Sequence, residues 1–474
     1  MKVEAPLLDV STAVALLVIF SLAWVAYGYW LGRKSQGTPD GVMLAGRNVG
    51  LALGTATAMA TWVTSNTVML APKFAIQMGV WGLLAYSTAS FGLFLFAPMA
   101  ARIKTLMPKG YTSGDFIRLR YGRPTWYLFL VISLIYSLAW LVSMGMAGGI
   151  VLEALSGLPY QVGMTVILTV CVIYTLFGGL YAVIGTDFVQ SIIILLLLLV
   201  VGLVAVIHTD YSLMHQTLIA QRPMLLDVLM PVALLSLFNN MFFGLGEVFH
   251  NNVWWSRAYA MSPQVAQKAF TRAGFLWLPI PILAGFIGLS AFSAGIPIGD
   301  PDMTGPLVAG TLLGKTGALF AFLVVFASLA SSIDSLLAST SDLLIEDVGE
   351  GILGIRKSPE YFYLMSKGTV LGLGLVVWLL CSMRMADLIQ VLFLSGPFVA
   401  SLIWPVVCGL YWPQVSGRAA FWAIITGSGL GLYTYFEIGW FVASLIAAVT
   451  SLAVLLTLTK YFPTQFVWAR LKEG

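Results

Sequence analysis

Long apolar segments separated by short polar ones run along almost the whole chain. A helix needs about 20 mostly apolar residues to cross a lipid bilayer. The pattern predicts thirteen membrane-spanning helices, at residues 10–32, 48–72, 78–103, 124–155, 159–179, 184–208, 227–255, 268–295, 314–346, 361–383, 386–412, 417–435 and 438–461. The expected fold class is therefore all-α integral membrane, with residues 1–474 forming a single transmembrane domain.

The composition excludes a soluble globular protein. Of the 474 residues, 59% are hydrophobic and 9% are charged, whereas soluble domains carry about 25% charged residues. The sequence has no phosphate-binding loop, no zinc-site spacing of cysteine and histidine, and no basic or aromatic patch suited to nucleic acid. We therefore expect a membrane protein that is not an enzyme and has no nucleic-acid partner.

Lysine and arginine are concentrated after the odd-numbered predicted helices, and cytoplasmic loops carry an excess of these residues. The residues concerned are Arg33, Lys34 and Arg47, then Arg102, Lys104, Lys109, Arg118, Arg120 and Arg123, then Arg257, Lys268 and Arg272, then Arg356 and Lys357, and finally Lys460, Arg470 and Lys472. We expect a multi-pass protein of the inner (plasma) membrane, with the N-terminus outside and the C-terminus in the cytoplasm.

Two predicted helices, the second and the seventh, have interrupted apolar patterns. The second is rich in small and hydroxyl residues between Gly54 and Thr67, and the seventh contains Asn239, Glu247 and His250. Such interruptions at matching places are typical of carriers built from inverted repeats, although small residues in the second helix alone also suit close helix packing. The pattern predicts repeats of five helices each (2–6 and 7–11). The expected parts are a peripheral helix at 10–32, repeats at 45–208 and 227–412, and two peripheral helices at 417–461.

The polar run Ser331-Ser332-Ile333-Asp334-Ser335 lies inside the ninth predicted helix. Hydroxyls and a carboxylate are costly at membrane depth unless they face a partner, a cavity or an ion. Ser331, Asp334 and Ser335 share one helix face, which presents an oxygen-only surface suited to a hard cation such as sodium. Serine can instead bond back to its own helix, but that explains Asp334 poorly. The run therefore indicates an ion-coupled carrier.

Three further ionisable residues lie in apolar surroundings. Asp187 opens the sixth predicted helix, where an acid is commonly a simple partner of the helix dipole. Glu247 and His250 lie one turn apart in the seventh, and ionisable residues inside a membrane are functional candidates by default. They could bind the N–H groups of a polar solute, bind a cationic amine or relay a proton. The residues alone leave these roles open.

The chain resembles the sodium/solute symporter family over residues 45–412. The segments that carry this resemblance are Ala45-Gly46-Arg47, Tyr174-Thr175-Leu176-Phe177-Gly178-Gly179-Leu180-Tyr181-Ala182-Val183 with Thr186-Asp187 and Gln190, and Ser331-Ser332. The resemblance implies the leucine-transporter-like architecture of five-plus-five inverted repeats. The segments most similar to the urea/polyamine branch are Gly79-Val80-Trp81-Gly82-Leu83-Leu84-Ala85-Tyr86, Trp254-Trp255-Ser256-Arg257-Ala258 and residues 277–281.

The resemblance also implies binding sites for ions and solute. A first sodium site would use the backbone carbonyls of Ala60, Val63 and Ser328 and the hydroxyls of Ser331 and Ser332. A second site, for a cation or a proton, would use Asp187, Ser331, Asp334 and Ser335. Serine is usual in the family where this chain has Asp334. The substrate cavity would use Trp62, Thr64, Thr67, Tyr86, Glu247, Asn251 and Trp277, with His250 one turn from Glu247.

We therefore expect a symporter that imports a small polar nitrogenous solute (urea, an amide, an amine or an amino acid) by alternating access. Sodium is the expected coupling ion, and the solute and the lipid bilayer are the expected partners. Proton coupling on the same fold is an alternative, because Asp187, Glu247, His250 and Asp334 could carry protons. Two further hypotheses are a transporter-like sensor module and a passive channel. The sequence leaves the substrate, the ion stoichiometry and the oligomeric state open.

Overall fold

The structure is a computed structural model that describes residues 7–33, 38–296, 301–355, 359–384 and 388–472. Within these residues the secondary structure is entirely helical, with twenty α-helices and no strand. Ten stretches of the described residues are long and apolar enough to cross a membrane. The expectation of an all-α integral membrane protein is confirmed.

The α-helices follow one another with few intervening residues. The first nine are α1 (Val10–Gly32), α2 (Pro39–Leu44), α3 (Leu51–Trp62), α4 (Ser65–Ser87), α5 (Ser90–Leu106), α6 (Ser113–Tyr121), α7 (Arg123–Ser156), α8 (Tyr160–His208) and α9 (Tyr211–Gln221). The others are α10 (Pro231–His250), α11 (Asn252–Ala260), α12 (Pro263–Trp277), α13 (Pro279–Ala294), α14 (Thr304–Leu343), α15 (Pro359–Met383), α16 (Leu388–Phe393), α17 (Gly396–Ser401), α18 (Ile403–Tyr411), α19 (Gly417–Glu437) and α20 (Trp440–Tyr461). A π-helix, Leu344–Ile352, continues α14.

Six of the predicted windows do not correspond to one long apolar helix. Window 48–72 is divided between α3 and the start of α4, and window 78–103 between α4 and α5. Window 227–255 is divided between α10 and α11, and window 268–295 between α12 and α13. Window 386–412 is divided, from residue 388 onward, among α16, α17 and α18. Window 417–435 is α19, a single helix of 21 residues that is less apolar than the ten long stretches. Five of the six differences therefore arise because a helix is broken.

Glycines join helical segments end to end at three places. Gly79 in α4, Gly179 in α8 and Gly314 in α14 have φ of 63°, 53° and 58°. A side chain is disfavoured in this backbone region, which glycine adopts readily. At Gly79 and Gly179 the chain therefore turns from one predicted span into the next without a long loop.

The helices that hold the candidate site pack directly on one another. α3 packs against α8, α12 and α14, and α14 also packs against α7 and α8. α11 contacts both α3 and α14. This packing brings together segments that are far apart in the chain. The assignment of 45–208 and 227–412 as the two repeats, flanked by peripheral helices, stays a prediction.

Replacing Gly79 by alanine should destabilise the protein. A Cβ at this position would lie 2.1 Å from the carbonyl oxygen of Leu225, in addition to the strain of the positive φ. We expect the free energy of unfolding to fall by about 1–3 kcal/mol, seen as a lower melting temperature in detergent. Gly368→Ala is the matched control, because a Cβ there meets no atom within 4 Å. Equal melting temperatures for the two variants would contradict the break at Gly79.

Candidate functional site

The chain unwinds at residues 63–64, between α3 and α4, in the buried interior of the protein. Val63 has φ −83° and ψ 86°, outside the helical region, and Thr64 is extended. The Thr64 hydroxyl then caps α4 by accepting a hydrogen bond from the N–H of Thr67 at 3.2 Å. The second predicted helix is therefore broken in the middle of its polar, small-residue segment.

Side chains from distant helices satisfy the backbone carbonyls at this break. Helix ends leave carbonyl oxygens without intrahelical partners, and inside a membrane other parts of the protein must supply them. The carbonyl of Trp62 accepts hydrogen bonds from Trp277 Nε1 at 2.9 Å and from Thr67 Oγ1 at 3.4 Å. The carbonyl of Thr61 accepts one from Ser332 Oγ at 3.3 Å. The break is thus held by contacts with α12 and α14.

The residues predicted for the first sodium site belong to two helices, α3 and α14. Ser331 and Ser332 on α14 are fully buried and face protein rather than lipid. Ser331 Oγ donates to Asp187 Oδ1 at 2.5 Å, while Ser332 reaches the α3 backbone at Thr61. Ala60 lies on α3 and Val63 at its C-terminal end, whereas Ser328, Ser331 and Ser332 lie on α14, which packs against α3. Their role in sodium binding stays a prediction.

A buried arginine lies at the centre of the predicted second site. Arg257 is on α11, and its side chain is 1% exposed. Its guanidinium donates from Nη2 to Thr61 Oγ1 (2.8 Å), Ser335 Oγ (2.8 Å) and Asp187 Oδ2 (3.3 Å), from Nε to Thr57 Oγ1 (2.9 Å) and from Nη1 to the Val253 carbonyl (3.0 Å). Hydrogen bonds of this kind, made by a charged donor, are the strong ones. The guanidinium therefore connects α3, α8, α11 and α14.

The position of Arg257 differs from the prediction. The charge pattern predicts that it lies among the basic residues of a cytoplasmic loop after the seventh span. The structure instead places it on a short buried helix, because α10 ends at His250 and α11 continues inside the protein. The sequence held a signal for this: Trp254 and Trp255 precede Arg257, and apolar residues follow it to position 261.

Asp334 lies beside this arginine network but, among the described residues, forms no ion pair within it. Its Oδ2 accepts a hydrogen bond from Thr186 Oγ1 at 3.4 Å. Thr186 also donates to the carbonyls of Ala182 and Val183, at 3.1 and 2.9 Å. In the described part of the chain, Asp334 Oδ1 is buried without a hydrogen-bond partner. Asp334 is therefore the least satisfied carboxyl group of the site.

A small cavity lies against the break between α3 and α4. Its volume is about 30 Å³, counted as the space open to the centre of a water-sized sphere. The predicted substrate residues that line it are Trp62, Thr64, Thr67, Tyr86 and Trp277. The lining residues that the sequence analysis missed are Ala89, Tyr136, Trp140, Asn240, Phe243, Leu392 and Phe393. All of these side chains are uncharged, and most are aromatic.

Glu247, His250 and Asn251 are not among the residues that line this cavity. Both carboxylate oxygens of Glu247 accept from Trp254 Nε1 at 3.0 Å, and Asn251 Nδ2 donates to Oε1 at 3.4 Å. Trp254 in turn packs edge-on against Trp62, with ring centroids 5.4 Å apart. Glu247 therefore lies one aromatic layer behind the cavity wall.

His250 is also held by its own surroundings. Its Nδ1 is 2.6 Å from the Gly246 carbonyl, and its ring packs edge-on against Tyr136 at 5.1 Å. Nε2 has no hydrogen-bond partner in the described residues. A substrate role for Glu247, His250 and Asn251 stays a prediction, and it would act through Trp254 and Tyr136.

A helical repeat pattern could have found some of the missed lining residues. Asn240 lies seven residues before Glu247 on α10, and positions seven apart share a helix face. Tyr136 and Trp140 are four apart on α7 and likewise share a face. Leu392 and Phe393 belong to the short helix α16, and nothing in their sequence distinguishes them from other apolar residues.

The sequence profile of the Sodium:solute symporter family matches residues 42–427. The chain belongs to the sodium:solute symporter family. The resemblance carried by its motifs is therefore confirmed, and the relatives that it matches are named as transporters rather than as enzymes.

Relatives of this chain include urea and proline transporters. It is 24% identical over 462 residues to the urea-proton symporter DUR3 of Oryza sativa subsp. japonica, covering 88% of this chain and 64% of the relative. It is 22% identical over 512 residues to the urea active transporter of Saccharomyces cerevisiae, covering 96% and 69%. It is 26% identical over 377 residues to the osmoregulated proline transporter OpuE of Bacillus subtilis, covering 77% and 76%. The chain thus spans less than two thirds of the rice relative's length.

Solved structures of other transporters share the fold of the symporter. A Na+-coupled sialic acid symporter matches with a TM-score of 0.81 at 18% identity, covering 96% of this chain and 99% of that one. Mhp1, a nucleobase-cation-symport-1 family transporter, matches with a TM-score of 0.60 at 16% identity, covering 91% and 98%. At these identities the likeness establishes the fold alone.

Replacing Asp187 by asparagine should destabilise the symporter strongly, because the buried charge of Arg257 loses its ion-pair partner. Removing one partner of a buried ion pair costs about 3–5 kcal/mol. Asp9→Asn is the control: Asp9 pairs with Lys315 at 3.4 Å, with exposed fractions of 64% and 78%, and such pairs contribute about 0–1 kcal/mol. Thermal unfolding in detergent gives the comparison. Equal losses in the two variants would show that the Asp187–Arg257 pair is not needed.

Proposed function

We propose that the chain is a sodium-coupled secondary symporter that imports a small polar nitrogenous solute by alternating access. It would lie in the inner (plasma) membrane with its N-terminus outside. The observation that carries the proposal is that one helix break serves two purposes: Trp62 and Thr64 line the cavity, and Thr61 meets Ser332 of the predicted ion site. Binding events at the two places would then be coupled through the same few backbone atoms.

Among the expected solutes, the size and lining of the cavity favour those that are small and uncharged. A water molecule needs about 10–15 Å³ by the measure used for this cavity, so about 30 Å³ suits a solute of few heavy atoms. The lining offers aromatic faces with the hydroxyls of Thr64, Thr67 and Tyr86 and the amide of Asn240. An amino acid would find no opposite charge among these side chains. Urea or a simple amide fits best, and the names of the rice and yeast relatives support this choice.

Sodium would couple to the solute by bridging α3 and α14. It would replace the direct contact between Ser332 and Thr61 with ligands from both helices, the carbonyls on one side and the hydroxyls on the other. This would fix the unwound segment in the geometry that the solute needs. With an inside-negative potential, carrying one positive charge inward supplies about 2.3 kcal/mol per 100 mV. That energy supports accumulation of the solute well above about tenfold.

The direct test of the proposal is concentrative uptake. Purified symporter in proteoliposomes is given radiolabelled urea, with an inward sodium gradient and an inside-negative potential. The proposal predicts transient accumulation above the outside concentration, and choline in place of sodium should abolish it. Uptake that only equilibrates urea across the membrane would indicate a channel and would refute the proposal. Formamide, proline and putrescine, offered as competitors, rank the other solute classes.

A second candidate is proton coupling on the same fold, which the environment of Asp334 favours. Its Oδ1 is buried and has no hydrogen-bond partner among the residues that the structure describes, and a buried carboxylate oxygen without a partner is costly. A proton on this oxygen would remove that cost. The rice relative is named a urea-proton symporter, which supports the same candidate. Uptake that persists without sodium and collapses with a protonophore would favour protons over sodium.

Replacing Ser332 by alanine should abolish sodium-dependent uptake without unfolding the protein. The change removes one predicted sodium ligand and the contact with the Thr61 carbonyl. Ser339→Ala is the matched control, since that buried hydroxyl lies on the same helix and donates to the Leu336 carbonyl of its own turn. Uptake as a function of sodium concentration gives the comparison. An unchanged sodium dependence in Ser332→Ala would remove this residue from the ion site.

Replacing the adjacent residues Asn239 and Asn240 one at a time should distinguish a residue that contacts the solute from a residue that stabilises the fold. Asn240 lines the cavity, and Asn240→Leu should raise the KM for urea about tenfold through the loss of one hydrogen bond. Asn239 Oδ1 instead accepts from the N–H groups of Ser444 and Leu445, at 2.8 and 3.3 Å. Asn239→Leu should therefore lower the melting temperature instead. A normal KM in Asn240→Leu would place the solute elsewhere.

A further inference from the structure

We propose that the guanidinium of Arg257 is the resident cation of the second pocket, and that the symporter consequently binds one sodium ion at a time. Here the second pocket means Thr57, Thr61, Asp187 and Ser335. The inference rests on the sodium coupling proposed above and refines its stoichiometry. It replaces the expectation that Asp187 and Ser335 ligate a second ion.

The first argument is that the oxygens of the second pocket are already used. Thr57 Oγ1, Thr61 Oγ1, Ser335 Oγ and Asp187 Oδ2 each contact the guanidinium, at 2.8–3.3 Å. The remaining carboxylate oxygen, Asp187 Oδ1, accepts from Ser331. A sodium ion in the same place would have to displace the guanidinium from all four oxygens.

The second argument is charge. An arginine side chain stays protonated in proteins, so Arg257 neutralises Asp187 without any bound ion. Both side chains are buried, at 1% and 0% exposed. Repulsion between like charges is strong where water is excluded. A second cation next to the guanidinium would therefore meet repulsion and no free counter-charge on Asp187.

The third argument is that the neighbouring acid offers too few ligands. Asp334 could attract a cation, but the Thr186 hydroxyl that donates to its Oδ2 is 3.4 Å away, and its Oδ1 accepts no hydrogen bond in the described residues. The hydroxyl of Tyr174, on the same side of the site, is directed to the Ala330 carbonyl at 2.6 Å. Hard cations require several oxygen ligands at once. Asp334 is therefore suited to a proton rather than to a second sodium ion.

Arg257 also performs the structural task that a bound ion would perform. Through its five contacts it connects α3, α8 and α14 to α11, the helix that begins after the extended residue Asn251 at the end of α10. Unlike sodium, it is attached to the chain and cannot leave on the inner side. The first site, at Ser331 and Ser332, is then the place from which an ion can dissociate.

Counting bound sodium tests the inference. Equilibrium binding of radioactive sodium to the symporter, purified in detergent, should give one ion per chain. Arg257→Gln should give two, because it frees Asp187, Thr57, Thr61 and Ser335. Arg120→Gln is the matched control and should stay at one: Arg120 is another buried arginine, bonded to the carbonyls of Gly409 and Trp412 at 3.0 and 2.9 Å. Two ions in the wild type, or no gain in Arg257→Gln, would overturn the inference.

The remaining outcomes separate this inference from the proposed function. A wild type that binds no sodium would refute sodium coupling. In that case, a gain of one sodium ion in Arg257→Gln would still support Arg257 as the resident cation. No gain of sodium in Arg257→Gln would overturn that role. If Arg257→Gln does not fold, Arg257→Lys takes its place. An ammonium group keeps the positive charge but lacks the planar fork of donors, so the count should stay at one. A count of two in Arg257→Lys would contradict the repulsion argument.

Discussion

An interrupted helix in the membrane interior is the constraint on which the site depends. Where α3 gives way to α4, the carbonyls of Thr61 and Trp62 lose their helical partners, and lipid cannot supply new ones. Trp277, Thr67 and Ser332 supply them instead. Polar side chains on the distant helices α12 and α14 are therefore needed as hydrogen-bond donors to these backbone carbonyls. Where hydroxyl groups already donate to backbone carbonyls, the oxygens of both groups lie near enough to one another to serve as ligands of a cation.

The charges around this break are arranged in three different ways. Arg257 and Asp187 form a buried ion pair that is neutral by itself. Ser331 and Ser332 present hydroxyls next to the unwound backbone. Asp334 has an oxygen without a partner in the described residues. If Ser331 and Ser332 hold an exchangeable ion, as proposed, the site combines one fixed cation, one ion site and one carboxyl suited to a proton. A chain with this arrangement would couple to few ions while its polar core stays folded.

Much of this arrangement could be predicted from the sequence, because the signals were local. Apolar length predicted the spans, small and hydroxyl residues predicted the broken second helix, and the Ser331-Ser332 pair predicted a polar face on the ninth. The direction of long side chains could not be predicted in the same way. Arg257 was assigned to a loop because charge usually lies in loops, whereas α11 turns it into the core. Glu247 was expected at the cavity, yet Trp254 stands between it and Trp62. The positions of these two side chains depend on how distant helices pack, which cannot be read from a short segment of sequence.

The proposed coupling requires that an ion and a solute share one helix break. A pair of cryo-electron microscopy maps of the protein with urea, one in sodium chloride and one in choline chloride, tests this requirement. A shared break predicts density between the Ala60–Val63 backbone and the hydroxyls of Ser331 and Ser332 in the sodium map alone, with urea density beside Trp62. Identical maps, or an ion seated away from the α3–α4 break, would contradict it.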